Sequence, residues 1–147
     1  MDMKTIESSL RLLDFVIVES QCAYHASDEN AELMQIQNSY PVDIDFDISQ
    51  STDKNNYCIE IFVSINEEQK EGYSIKVTGL GFFSIQDIEI EEEIEKLINY
   101  SAINICIANL RSYIANMTSY YPMGKYVFHS IDMIKLIKAK IQESTEH

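Results

Sequence analysis

The alternation of apolar and polar positions divides the chain into strands followed by helix. After a short lead, 1–12, in which Ile6, Leu10 and nearby Leu13 stand at helical spacing, Phe15 to Val18 form a dense β-branched run that continues to Gln21 and is apolar on both faces. Residues 24–40 read as a loop rich in Ser, Asp, Asn and Glu, yet it carries Leu33, Met34, Ile36 and Tyr40, which a solvated linker has little reason to hold. From Pro41, Val42, Ile44, Phe46 and Ile48 alternate with Asp43, Asp45 and Asp47, so one sheet face is wet and acidic there. Tyr57, Ile59, Ile61, Val63 and Ile65 resume the alternation, and a charged hairpin loop closed by Gly72 leads into a strand from Tyr73. That strand is expected to break at Gly79 and Gly81 and to end in Phe82, Phe83 and Ile85.

From Glu91 the period becomes helical. Ile94, Leu97, Ile98, Ala102, Ile105, Ala108 and Ala115 recur at helix spacing, with Glu91, Glu92, Glu93 and Glu95 near the positive N-terminal end. Ile103, Cys106, Ile107, Leu110, Ile114 and Met117 add apolar positions, so the middle of the helix reads as apolar on more than one side. Its own sheet supplies one layer of cover; the other calls for a second subunit. The helix, 91–121, fades before Pro122 and Gly124 into a loop holding Tyr120, Tyr121, Met123, Tyr126 and Phe128. Ser130 is the expected N-cap of a final helix, 130–142, with Ile131, Ile134, Ile137 and Ile141 in one stripe. The fold class is therefore α+β: a four-stranded antiparallel sheet covered by one long helix and a short C-terminal helix.

Charge and chemistry narrow the function. The 147 residues suit a single domain, and the formal charge of −13 opposes attraction to nucleic acid or anionic lipid. No run approaches the roughly 20 apolar residues that span a bilayer. Cys22, Cys58 and Cys106 lack any C-x-x-C pair and read as reduced thiols, so a soluble, cytoplasmic protein is expected. His25 and His129 are isolated, and no phosphate-binding loop, dinucleotide fingerprint or Gly-x-Ser-x-Gly elbow is present. Neither an enzyme nor a metal or cofactor site is expected. Asp43, Asp45 and Asp47 lack the Gly-turn loop of a calcium site and read as a solvated face. The aromatic loop admits two readings: its rings cover the sheet, or some stay exposed to bind other chains. Met34, Met123 and Met133 would make such a surface adaptable, whereas Met117 reads as gap filling.

The order of elements, with Gly81, Phe82, Phe83, Ser84 and Ile85, resembles the SecB family of export chaperones and related SecB-like proteins over roughly Phe15 to Ile141. The five residues look like the family's Gly-x-Phe-Ser-Ile strand end. Leu110 and Arg111 through Met117 and Thr118 are similar to its Arg-centred helix, and Ile131 and Asp132 sit where its last helix begins. The resemblance implies sheets paired across a dimer and long helices sandwiched in a tetramer. Val16 and Val18 on the first strand, with Ile103, Cys106, Ile107, Leu110 and Ile114 on the helix, are then the expected oligomer interface. It also implies an ATP-independent holdase whose groove, near the loop after the first strand and the final helix, takes unfolded polypeptide at Leu33, Met34, Ile36, Tyr40, Tyr126, Phe128 and Met133. Export members deliver clients to the motor SecA. Here Lys76 stands where they carry an acidic docking residue, only one of Asp14 and Glu19 matches their acidic pair, and residues 142–147 show no clear match to their motor-contacting tail. The alternatives are an adaptor for one dedicated partner, such as an antitoxin tail, and a small-molecule carrier with a pocket between helix and sheet.

Overall fold

A computed structural model of the chain describes residues 9–26, 40–52, 55–68, 71–129 and 132–145, without the side chains of 133, 144 and 145. Strands β1 (Leu10–His25), β2 (Val42–Gln50), β3 (Asn56–Ile65) and β4 (Gly72–Ile85) form one antiparallel sheet in the order β1-β4-β3-β2. The meander β2 to β4 follows from the alternation and short loops, and β1 pairs along the full length of β4. Both β1 and β2 are therefore edges. The long helix runs as α1 (Glu91–Lys96), a π-helical turn (Leu97–Ala102) and α2 (Ile103–Thr118), followed by α3 (Met133–Thr145).

Strand pairing sorts the side chains cleanly. Partners across a ladder share a face, so Tyr57 with Phe83, Val63 with Val77 and Ile65 with Ile75 line one side, where all six are buried. Ile103, Ile107, Leu110 and Ile114 of α2 close over that side with 0 or 1 % of their surface exposed. The core is thus a helix laid on one face of a sheet, and among the described residues no element covers the opposite, open face.

Three sequence readings are corrected by this arrangement. Leu10 and Leu13 belong to β1, not to a helical lead, and β1 extends to His25, past the expected loop start at 24. β4 does not break at Gly79 and Gly81; it pairs continuously to Ile85. A Cβ on Gly81 would stand 2.6 Å from Cys106 Sγ and 2.8 Å from Phe83 Cε2, and one on Gly79 would stand 2.5 Å from Phe15 Cζ. The glycines mark where helix and edge strand come closest to the sheet backbone, not a strand end.

The third correction concerns the helix. Ile103, Cys106, Ile107, Leu110 and Ile114 fall on one face and are buried within the chain's own core, while Asn104, Ala108, Ser112 and Asn116 opposite them are exposed. The two-sided reading arose from assuming a uniform helix. At 3.6 residues per turn Ile98 and Ile103 stand roughly 140° apart. The π turn between them is wider, takes up an extra residue and rotates Ile98 onto the face of α2, where it is 6 % exposed. Those five residues therefore belong to the subunit's interior, and no second layer is needed to cover them.

Candidate functional site

On the helix side, the two chain ends flanking residues 27–39 converge on Tyr73. Tyr24 meets the Tyr73 ring edge-on at 6.1 Å, the Tyr73 amide donates to Tyr40 Oη at 2.8 Å, and the Tyr73 hydroxyl donates to Gly124 O at 2.7 Å. Asn66, in a left-handed turn at φ 54°, donates its side-chain amide to Tyr73 O at 2.8 Å. Tyr40 in turn packs against Tyr126 at 5.5 Å. The segment 122–129 forms a strap across this cluster. Thr118 Oγ1 accepts from the Tyr126 amide at 2.8 Å, and Arg111 donates from Nε to Phe128 O and from Nη2 to His129 O, both at 3.0 Å. Burial, followed by the neighbouring Tyr40, pushes the Tyr126 hydroxyl up to about 12, so it stays protonated at ordinary pH.

Beyond the strap, α3 lies over the helix-side face of β2. Ile137 is buried, and Lys140 passes its stem over the Phe46 ring, 5.4 Å from the centroid, to place Nζ 2.7 Å from Asp45 and 3.8 Å from Asp47. Burial opposes the charge on Asp45, but the hydrogen bond from Lys140 prevails and holds its carboxyl below the usual value, while the same bond raises Lys140. Two grooves of about 210 Å³ each flank this seat, one between Phe46, Ile48, Asn99 and Ile141, the other between Ile44, Phe46, Leu136 and Glu143.

The open sheet face mixes apolar and acidic side chains. Phe62, Leu80 and Phe82 share it with Asp43, Asp45, Asp47 and Glu60. A groove of about 300 Å³ runs past Phe62 between Glu19, Asp43 and Glu67, and one of about 320 Å³ lies between Leu13, Cys58 and Phe82. Register shifts in β1 between Leu12 and Asp14 and between Ile17 and Glu19 bracket Leu13 and Val18, which are 57 % and 54 % exposed. Such bulges twist a strand and turn side chains outward.

The residues expected to meet polypeptide are thus divided. Tyr40, Tyr126 and Phe128 are 8 %, 3 % and 2 % exposed and form the tyrosine cluster and strap, so the reading in which the aromatic loop covers the sheet holds for Tyr126 and Phe128, while Tyr120 of that loop is 92 % exposed. Their hydroxyl and backbone partners lie inside the fold, which is why exposure was the wrong expectation. Leu33, Met34 and Ile36 lie outside the described residues, as does the side chain of Met133 and the expected cap Ser130. Asp132 caps α3 instead, accepting from the Lys135 amide at 3.1 Å. Val16 is half-buried and Val18 exposed, both on the edge strand. Sequence reasoning missed Phe62 and Phe82, whose only signal is an aromatic ring in the polar phase of its strand, and Lys140, whose partners are remote in sequence. Cys106 is a core thiol, which burial pushes up to about 12. Among the described residues, no helix is long and apolar enough to cross a membrane.

No protein-family model matches the chain, and no curated protein matches its sequence. Its fold is that of a SecB-like chaperone from Mycobacterium tuberculosis, solved in complex with a ChAD peptide from the HigA1 antitoxin. The two agree with a TM-score of 0.61 over 84 % of this chain and 88 % of that one, at 12 % identity. The likeness comprises the four-stranded antiparallel sheet, the long helix and the short C-terminal helix.

Proposed function

We propose that this chain is a polypeptide-binding module of the SecB-like kind, a cytoplasmic holdase that keeps aggregation-prone chains apart without ATP. The observation that carries the reading is the fold shared with a chaperone solved with a peptide bound. The α3 grooves and the apolar side chains of the open face offer it contact surface of the right chemistry. Holding is equilibrium binding of an extended chain to a sheet-and-helix surface, through alternate side chains in shallow apolar grooves. No step in it calls for a catalytic group. Right-angle light scattering of a denatured client tests the proposal: aggregation should be suppressed at stoichiometric amounts, and undiminished aggregation would remove the reading.

A second reading is an adaptor for one dedicated protein partner. The antitoxin peptide in the structural neighbour favours it, as does Lys76, which lies exposed on β4 beside Glu67 at the position matched to the acidic docking residue of export members. Pull-down from the native cell separates the two, since many unrelated chains indicate a holdase and one stoichiometric protein an adaptor. SecA is a partner only under the holdase reading.

Self-association through β1 belongs to the same proposal. A 16-residue edge strand with Val18 and Leu13 exposed is a template for pairing with a second copy. The wild type should show a solution mass of two or four times 17.0 kDa at micromolar concentration, and Val18→Lys should shift it toward one. A wild-type mass of one subunit would end this part of the proposal.

A further inference from the structure

We infer that the open sheet face holds a site for a linear aliphatic polyamine, laid across the four strands from Glu19 on β1 to Asp43 and Asp45 on β2. The register brings one row of side chains to this face: Glu19, Thr78, Phe62 and Asp45, one from each strand, are successive cross-strand partners. Glu19 owes its place to the register shift between Ile17 and Glu19. Without that bulge, the alternation from Asp14 and Val16 would present Val18 here and turn Glu19 to the helix side. A carboxylate thus stands at each end of the row, and the half-buried Phe62 and Thr78 lie between them along the groove of about 300 Å³.

Charge and length select the occupant. Of the described cations near the row, Lys76 stands 3.8 Å from Glu67 and Lys140 2.7 Å from Asp45, whereas no described cation pairs with Glu19 or Asp43. The neighbouring row supplies a further group: Ser64, across the ladder from Asp43, has its Oγ buried with no hydrogen-bond partner among the described residues. A hydroxyl oxygen accepts from an ammonium group, so a cation at Asp43 serves both. Adjacent strands stand about 4.8 Å apart, which puts the two ends of the row roughly 14 Å from one another. A compact cation meets one end only. A chain with an ammonium group at each end reaches towards both and lays its methylenes on the Phe62 ring, where the carbons next to nitrogen carry part of the positive charge. An anion is repelled, and an uncharged aliphatic chain gains nothing from the carboxylates.

Isothermal titration calorimetry on the full chain at physiological ionic strength tests the site with terminal diamines of equal charge and unequal length. Diaminooctane should bind at least about tenfold more tightly than diaminobutane, because the longer chain covers Phe62 and approaches both carboxylates. Spermidine, whose backbone has the length of diaminooctane, should displace it. Asp43→Asn should weaken diaminooctane binding at least about fivefold, while Glu92→Gln, which removes the same charge from the exposed helix α1, should change it less than about twofold. Phe62→Ala should abolish the preference for the longer diamine. Affinities that follow charge alone, equal for the two diamines or equally reduced by Asp43→Asn and Glu92→Gln, would show diffuse attraction to an acidic protein and overturn the site. Absence of binding by either diamine, or diaminooctane that spermidine does not displace, has the same consequence. Should Phe62→Ala fail to fold, the wild-type length series and the paired charge variants still decide.

Discussion

Gly81→Ala should destabilise the fold by about 1–3 kcal/mol, and Gly81→Val by more, because the added methyl meets two fully buried side chains rather than one free end. Cys106 Sγ lies 2.6 Å and Phe83 Cε2 2.8 Å from the site of the new Cβ, and both residues are 0 % exposed. Neither can move without shifting the helix or the core ring. Gly79→Ala offers the internal control: its methyl meets the tip of Phe15, a half-buried side chain of the edge strand that can swing aside, so its cost should be smaller. Cys106→Ala removes the sulfur that Gly81 accommodates and by itself should cost about 1 kcal/mol. In the double variant Gly81→Ala/Cys106→Ala the methyl occupies part of the space the sulfur leaves. The combined loss in urea denaturation should then fall short of the sum by roughly 1 kcal/mol or more. Strict additivity would mean that the helix does not rest on β4 at Gly81.

That contact also shows how far the sequence can be read. The alternation of Val42 to Ile48 and of Tyr57 to Ile65 specified two strands and their buried phase, because a half-buried strand writes its period directly into the chain. Gly79 and Gly81 were visible but ambiguous, since a glycine in a strand signals a bulge, an end or a close approach, and only the third dimension says which. The helix was located but its face was misassigned. Its pattern keeps the α-helical period on both sides of the turn at Leu97–Ala102 but shifts phase across it, and a reading with one unbroken phase converts one buried face into two. The candidate site was the least legible part. Tyr40, Tyr126 and Phe128 are the right size for a binding surface, yet their burial is fixed by Tyr73, Thr118 and Arg111, partners that composition and spacing do not announce.

With Tyr40, Tyr126, Phe128 and the α2 stripe committed to the interior, the exposed apolar groups among the described residues include some on β1, on the open sheet face and around the seat of α3. Each joins exposed aliphatic or aromatic groups to nearby carboxylates, among them Asp14 and Glu19 on β1, Asp43 and Glu60 on the open face, and Asp45 and Asp47 beside α3. On an edge strand such charges discourage indiscriminate pairing while leaving the apolar groups reachable.

Arg111→Ala should be among the most damaging changes to a side chain that is not itself fully buried. Its guanidinium serves the Phe128 and His129 carbonyls at once and stacks above the Phe128 ring, so the fork fixes both the path of the strap and the lid over a buried aromatic. Hydrogen bonds from a charged donor contribute about 1.5–3 kcal/mol each, and these two share one side chain, so a total loss of roughly 2–4 kcal/mol is expected. Arg111→Lys should recover less than half of it, since an ammonium lacks the planar fork that reaches two successive carbonyls. Thr118→Val tests the strap from its other side: the valine keeps the shape but withdraws the acceptor from the buried Tyr126 amide, at about 1–3 kcal/mol. If the strap is one cooperative element, Arg111→Ala and Thr118→Val should each speed amide exchange at both Tyr126 and Phe128. Exchange quickened only beside the altered residue would show two independent tethers, and the strap would then be no more than a loop held at separate points.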